Sequence, residues 1–279
     1  MKKYLLSFFK NEYKFLFKTL NYSTKSKLKI ESLNLIFKTN TSIGKKNEKL
    51  VLPLDEIITP RIFNNAKWDY YIIEFIKKNI KSKNNHFFDI GANVGLISKQ
   101  LQNLELNIEK YFCFEPEMNN FKILSKNLSN SDSNLFNFGL GKKDKKTKIF
   151  ISSSNKSDNS FYFKQDKNNN SSIVYLKNSN KILSQIIKKN KIKNIIYKSD
   201  TQGMDEEIFL SLNKNIIDKI YLLIMEISNF DLISKNKNLF FKKLEIFKIF
   251  FSEDGSKISM DGIKNLIKKG KEFNILAKK

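Results

Sequence analysis

The chain has 279 residues, with 51 Lys+Arg against 28 Asp+Glu for a net charge of +23, one histidine (His86) and one cysteine (Cys113). At 41% hydrophobic and 13% aromatic it has the material for a core, which excludes a wholly disordered chain; its length allows one large or two small domains. The single Cys and single His exclude a disulfide framework and any Cys/His zinc or iron–sulfur centre, and they fit a reducing, cytoplasmic setting.

The first elements are basic. Residues 1–50 carry twelve Lys and three Glu. No run reaches the roughly 18 apolar residues of a membrane span, and no small-residue cleavage site follows the short patch Tyr4–Phe9. At helical spacing Leu5, Phe9, Tyr13, Leu16, Phe17 and Leu20 share one face, with Lys10, Lys14 and Lys18 beside it. Such a helix over residues 1–20 either docks on its own domain or lies as a peripheral contact on the inner face of an anionic membrane. Leu33–Phe37 and Leu50–Leu54 read as short strands, punctuated by Pro53 and Pro60. The division expected is an N-terminal extension, 1–60, and a main domain, 61–279.

From Trp68 to Ile80 the apolar residues recur at helical spacing, and then strands and helices alternate. Strand His86–Ile90 leads to helix Leu96–Leu104, strand Tyr111–Phe114 to helix Met118–Leu128, and strand Leu135–Phe138 to an extended Lys148–Ser152. The polar stretch Ser153–Asn180 reads as disorder or as a lid whose Phe161, Tyr162, Phe163 and Tyr175 line a sugar face. Helix Ile182–Lys189, strand Ile192–Ser199, helix Glu206–Leu212, strand Ile220–Ile227, strand Ile246–Ser252, a helix near Asp261–Lys269 and strand Phe273–Lys278 follow. The pattern predicts an α/β, doubly wound, mostly parallel sheet covered on both faces.

Ligands of such sheets sit beyond the carboxyl ends of the strands. The chain has 9 glycines where average usage gives about 20, and Gly91, Gly95, Gly139, Gly141 and Gly203 directly follow predicted strands. After the first parallel strand comes Asp89-Ile90-Gly91-Ala92-Asn93-Val94-Gly95, a glycine turn opening a helix. The next strand ends in Glu115, placed 26 residues after Asp89 to accept hydrogen bonds from a ribose diol. Helix capping for Asp89 and an exposed strand end for Glu115 are the plainer roles.

These residues resemble the FkbM family of S-adenosylmethionine-dependent methyltransferases. Asp89–Gly95 is similar to its first motif and Phe114-Glu115-Pro116 to its second. Asn137–Gly141 is similar to the segment after its third strand. Lys198-Ser199-Asp200-Thr201-Gln202-Gly203-Met204-Asp205 resembles its K-x-D-x-x-G-x-E motif, and Met225-Glu226-Ile227 its fifth-strand end. The likeness covers roughly residues 50–279. Asp205 stands for the usual Glu, and Ser184 stands near the place of a frequent Asp. The resemblance implies a Rossmann-like methyltransferase sheet with a late antiparallel strand, S-adenosyl-L-methionine as cofactor, and methyl transfer to a hydroxyl. By resemblance Asp89 and the Gly91, Ala92, Asn93 and Gly95 backbone hold the methionine end of the cofactor. Glu115 takes the ribose, and Leu140 flanks the adenine.

Lys198 and Asp200, two apart on one strand, point to the same side. Asp200 is the candidate base or hydroxyl anchor, Glu226 lies on the next strand, and Lys198 is placed to orient Asp200. The plainer role of the pair is an ion pair fixing the turn Thr201–Met204. Asp200 and Glu226 also suit Mg²⁺, but the preferred reading has no metal. His86, about 13 Å from the active edge, reads as a surface or strand-start residue, and Cys113 as core. The acceptor expected is a sugar, glycan or other small polar metabolite. The alternatives are an RNA methyltransferase using the basic surface and a degenerate, non-catalytic binding protein. A chain whose only arginine is Arg61 lacks the guanidinium forks of phosphate recognition, which argues against nucleic acid. The sequence carries no signal for an oligomeric state.

Overall fold

The computed structural model describes residues 34–38, 49–53, 57–58, 61–62, 67–129, 132–152, 159–161 and 170–279. The expected helix over 1–20 lies outside them. Among the described residues no helix is long and apolar enough to cross a membrane.

The main sheet grows from strands whose residues are apolar on both faces. β3 (Asn85–Ile90), β9 (Asn194–Ser199) and β10 (Ile220–Ile227) are buried almost throughout, as parallel strands between helical layers must be. With β4 (Ile108–Phe114) and β5 (Ser133–Phe136) on one side, and β13 (Phe273–Lys278), β11 (Ile249–Phe251) and β12 (Lys257–Ile258) on the other, the order is β12-β11-β13-β10-β9-β3-β4-β5. The five strands from β10 to β5 run parallel, while β13 pairs antiparallel with β10 and β11. This is the α/β, doubly wound, mostly parallel sheet that the alternation predicts, with the late antiparallel strand that the family resemblance implies.

Neighbouring residues of each strand feed opposite layers. On one face Phe88, Phe112, Tyr197, Leu223 and Met225 pack with the later helices, and Phe88 stacks on Phe112 at 4.9 Å. On the other Phe87, Tyr111, Cys113, Ile196 and Leu222 pack under α1 (Tyr70–Asn79), α2 (Leu96–Asn103) and α3 (Met118–Asn127). Cys113 is core, as expected. His86 starts β3 but is buried, its ring stacked on Phe112, so the surface half of its reading does not hold.

Between β5 and β9 the chain builds a small second sheet, β6 (Gly139–Gly141), β7 (Lys145–Phe150) and β8 (Ser171–Asn178), in the order β6-β8-β7. The polar stretch expected as one loop is therefore strand from Ser171 on, and α4 (Ser179–Lys189) starts at Ser179. In β8 the exposed Ile173 and Tyr175 alternate with Val174 and Leu176, which are buried. After β9 come α5 (Asp205–Ser211), the short α6 (Lys214–Ile217), α7 (Phe230–Leu244) and, past β12, α8 (Met260–Lys268). Sequence periodicity misses α7, because Ser234–Asn238 interrupts its apolar stripe. Asn236 lies there in a non-helical conformation and kinks the helix.

Strands β1 (Asn34–Lys38) and β2 (Lys49–Pro53) form an antiparallel hairpin close to the predicted extension strands. Leu50 and Leu52 pack against Val94, Leu96 and Ile123 of the main domain. One buried side chain holds β2 in place. Asn127 accepts the Val51 N–H at 2.7 Å and donates to the carbonyls of Val51 at 2.9 Å and Val94 at 2.8 Å. Asn127→Ala leaves three buried backbone groups bare. It should destabilise the protein by about 3 kcal/mol and lower the melting temperature by about 6 °C or more. Calorimetry showing a change under about 2 °C would mean that other contacts hold the hairpin.

Candidate active site

The strand order reverses between β3 and β9, whose carboxyl ends open the crevice where such sheets bind ligands. The turn after β3 passes so close to β9 that a Cβ on Gly91 would sit 1.9 Å from the Asp200 carbonyl oxygen, and its φ is +74°. Only glycine fits both demands. Gly95 has a different role. A Cβ there would meet Leu124 at 2.7 Å, so it lets α2 pack on α3 and faces neither of the cavities described below.

The turn was expected to offer free amides to a ligand, and four of them are already bonded. The N–H groups of Gly91 and Ala92 both donate to the Phe114 carbonyl at 3.0 Å, and that of Gly95 to the Ala92 carbonyl at 2.9 Å. The Asn93 N–H donates to Glu115 Oε2 at 2.9 Å. The turn thus presents a wall, and the group it presents for hydrogen bonding is Glu115. That carboxylate also accepts the Glu117 N–H at 2.8 Å. Burial pushes Glu115 up to about 8, against the pull of the two backbone N–H groups.

Asp89 finds its partners inside the protein. Its side chain is fully buried, lines neither of the two cavities described below, and pairs with Lys198 Nζ at 3.0 Å while accepting the Ser98 hydroxyl at 2.7 Å. Lys198 in turn donates to the Gly91 carbonyl at 2.8 Å. Register explains this, since Asp89 and Lys198 are direct partners on β3 and β9. Burial works against the Lys198 ammonium, but the surrounding carboxylates, Asp89 foremost with Asp200 and Asp205, together hold its pKa above the usual lysine value. Lys198 therefore orients the turn through Asp89 and Gly91, and its ion pair is not with Asp200.

Asp200 is held by Gln202, a residue that sequence reading missed. The Gln202 Nε2 donates to Asp200 Oδ1 at 3.0 Å and approaches both Glu226 oxygens at 3.2 and 3.3 Å. Its only signal in the sequence is its place inside the turn. Burial, and then the neighbouring Asp200 charge, push Glu226 well above the usual carboxylate range. The turn Thr201–Met204 is fixed by Asp205, which accepts the Thr201 N–H at 3.1 Å and the Ser199 hydroxyl. Glu206 accepts the Ser228 and Asn229 N–H groups at 2.6 and 2.8 Å and ties α5 to the end of β10.

Two cavities meet at this wall and share Gly91, Asn93, Asp200 and Gln202. The inner one is a slot of about 40 Å³ between Glu115, Leu140, Ile149, Asn159 and Phe161. The outer one, about 650 Å³, is lined by Ala92, Lys198, Asp200 and Glu226, by Trp68 and Tyr71, and by Arg61, Asp69, Glu253 and Asp254. Its two cations are already paired, Arg61 with Asp69 at 3.2 Å and Lys198 with Asp89. In a chain of +23 the outer cavity thus presents carboxylates. Phe161 reaches the inner slot. Tyr175, 53% exposed on β8, lines neither cavity. Among the described residues no three His, Cys, Asp or Glu side chains gather as a metal site.

No protein-family model matches the chain, and no curated protein matches it in sequence. Among solved structures it is similar to the methyltransferase FkbM from Methylobacillus flagellatus KT, with a TM-score of 0.44 and 11% identity over 78% of this chain and 52% of that one. It is also similar to a candidate RNA methyltransferase from Pyrococcus horikoshii (TM-score 0.39, 10% identity, 89% and 93% covered). A third likeness is to the precorrin-6y C5,15-methyltransferase from Geobacter metallireducens GS-15 (TM-score 0.37, 12% identity, 75% and 87% covered). The chain spans about half the length of the Methylobacillus protein.

Removing one partner of the buried pair is the direct test of the site's framework. Lys198→Met should destabilise the fold by about 3–5 kcal/mol, because it strands the Asp89 charge in the core. Adding Asp89→Asn should recover part of that loss in a denaturant titration. Equal stability of Lys198→Met and the unsubstituted chain would show that the pair does not support the turn.

Proposed function

We propose that this protein is an S-adenosylmethionine-dependent methyltransferase that methylates a hydroxyl of a sugar, glycan or other small polar metabolite. The observation that carries the reading is the wall shared by the two cavities. Asp200 and Gln202 stand between an inner slot with a ribose-type acid, Glu115, and an outer cavity large enough for an acceptor. The FkbM-like motifs of the sequence support the same assignment.

The residues present fit the cofactor. Glu115 is a buried strand-end acid with both oxygens oriented by backbone N–H groups, and the slot beyond it is apolar at Leu140, Ile149 and Phe161. It also holds a donor with no partner among the described residues, the Asn159 amide. When bound, S-adenosylmethionine supplies an electrophilic methyl group on a sulfonium. The chain's own work is then alignment and removal of the acceptor proton. In this reading Asp200 accepts that proton at a carboxylate oxygen, and Gln202 fixes the carboxylate through its Nε2. Glu226, pushed upward by burial, keeps its own proton and serves as a hydrogen-bond donor. Trp68 and Tyr71 offer aromatic faces for the apolar side of a sugar ring. The carboxylates of the outer cavity favour a hydroxyl-bearing acceptor and repel a phosphate backbone, which sets the RNA reading second.

Two measurements test this. Asp200→Asn should lower turnover by about 10²-fold while cofactor affinity stays within about twofold. A loss of activity with EDTA that Mg²⁺ restores would instead make the carboxylates metal ligands. Separately, the affinity for S-adenosylhomocysteine should rise with pH and level off above about 8, because the ionised Glu115 is the better acceptor for ribose hydroxyls and is depleted below that value. Glu115→Gln should flatten the profile. A pH-independent affinity in the unsubstituted protein would remove Glu115 from the ribose.

A further inference from the structure

The inner slot holds a donor that the protein itself does not use. Asn159 is 8% exposed and lines the slot. Its Oδ1 accepts the N–H of the buried Ser152 at 3.0 Å. That bond fixes the orientation of the amide, since a backbone N–H needs the oxygen and not the NH₂ group. The Asn159 Nδ2 is therefore turned the other way, and it has no hydrogen-bond partner among the described residues. A buried NH₂ group left bare is costly and calls for an explanation. The walls around it, Leu140, Ile149, Phe161 and Pro116, offer apolar surface suited to a flat ring.

We propose that Asn159 is a base-reading residue, whose Nδ2 donates a hydrogen bond to a ring nitrogen of the cofactor's adenine. The inference rests on the cofactor reading above and adds a recognition element to it. Adenine presents ring nitrogens with lone pairs and no hydrogen, the complement of an amide donor at the end of an apolar slot. Glu115 and Asn159 line the same slot, so a ribose held at Glu115 leaves its base in the slot that Asn159 lines. The slot is narrower than a purine, and a base entering it displaces Phe161 or shifts the segment Asn159–Phe161 outward. That segment is tied to the catalytic turn. The Ser160 hydroxyl donates to the Gln202 carbonyl at 3.0 Å, and Ser160 exchanges backbone hydrogen bonds with Phe150 at 2.8 and 3.1 Å. Base recognition by Asn159 thus sets the position of the turn that carries Gln202.

The experiment is calorimetric titration of the full chain with S-adenosylhomocysteine and with its 1-deaza, 3-deaza and 7-deaza analogues, each lacking one ring nitrogen. One of the three should bind about tenfold weaker than the parent to the unsubstituted protein. That gap should fall to within about twofold in Asn159→Ala. It should also close in Asn159→Asp, which keeps the acceptor for the Ser152 N–H while removing the amide donor, and so separates base reading from anchoring of the segment. Equal affinity for the parent and all three analogues overturns the proposal, as does a gap that persists in both variants. If the unsubstituted protein does not bind S-adenosylhomocysteine at all, the cofactor reading falls with it. If it binds the parent but shows no gap that depends on Asn159, the cofactor reading stands and Asn159 alone is excluded.

Discussion

The ion pair between Asp89 and Lys198 is the constraint on which the rest of the site depends. Two opposite charges are buried side by side on the central strands, where each alone would be costly. Their pairing aligns the ends of β3 and β9. Lys198 then holds the Gly91 carbonyl, and the Asp200 N–H donates to the Ile90 carbonyl at 3.0 Å, so the two turns lock across the crevice. With that lock in place Glu115 comes to one side of the wall and Asp200 to the other. The pair touches neither cavity through Asp89. Its contribution is positional, and the absence of a side chain on Gly91 is what allows so close an approach.

Much of this fold is legible in the sequence where apolar runs are uninterrupted. β10 and β13 follow the expected bounds because each carries an apolar run, Ile220–Met225 in β10 and Ile275–Ala277 in β13, that polar residues interrupt only near its ends. α7 escapes because its polar middle breaks the helical stripe, and the hydrophobic residues on either side are read as unconnected. β8 escapes because its apolar run, Ile173–Leu176, is only four residues long and is flanked by the polar residues of the surrounding stretch. In the site, the residues that announce themselves are those with special backbone demands, such as Gly91, or charges at strand ends, such as Glu115 and Asp200. Partners were less legible. Lys198 sits two residues from Asp200 in sequence, yet strand register gives it to Asp89 across the sheet. Gln202 is marked in the sequence only by its place inside the turn and Asn159 not at all, because their roles come from contacts that only the folded chain creates.

Charge is distributed against the chain's overall balance. Lysines cover the helices and the outer strand faces, while carboxylates line the outer cavity. Surface lysines are screened within about a Debye length, roughly 8–10 Å at physiological salt, so they do not set the local potential inside the crevice. The carboxylates there act at short range and in a partly desolvated setting, where each is felt more strongly. Net charge therefore describes how the molecule behaves in bulk, and the cavity's lining describes what it admits.

The distance along the chain between the two halves of the ion pair bears on how the protein is made. Lys198 meets the Gly91 carbonyl across 107 residues. Until β9 emerges and inserts beside β3, the earlier strands form a sheet with a bare central edge and an unpaired buried acid. Non-local pairings of this kind slow folding, because a long segment must be closed before its contacts are gained. The second sheet, β6-β8-β7, is made within that interval and can fold around its own hairpin first. During synthesis the half-built sheet exposes the edge that β9 will later cover, a template for pairing with other chains. The crevice that defines the site is thus among the last parts of the molecule to exist, and a ribosome-bound fragment ending before β9 has the glycine turn but no wall to hold it against.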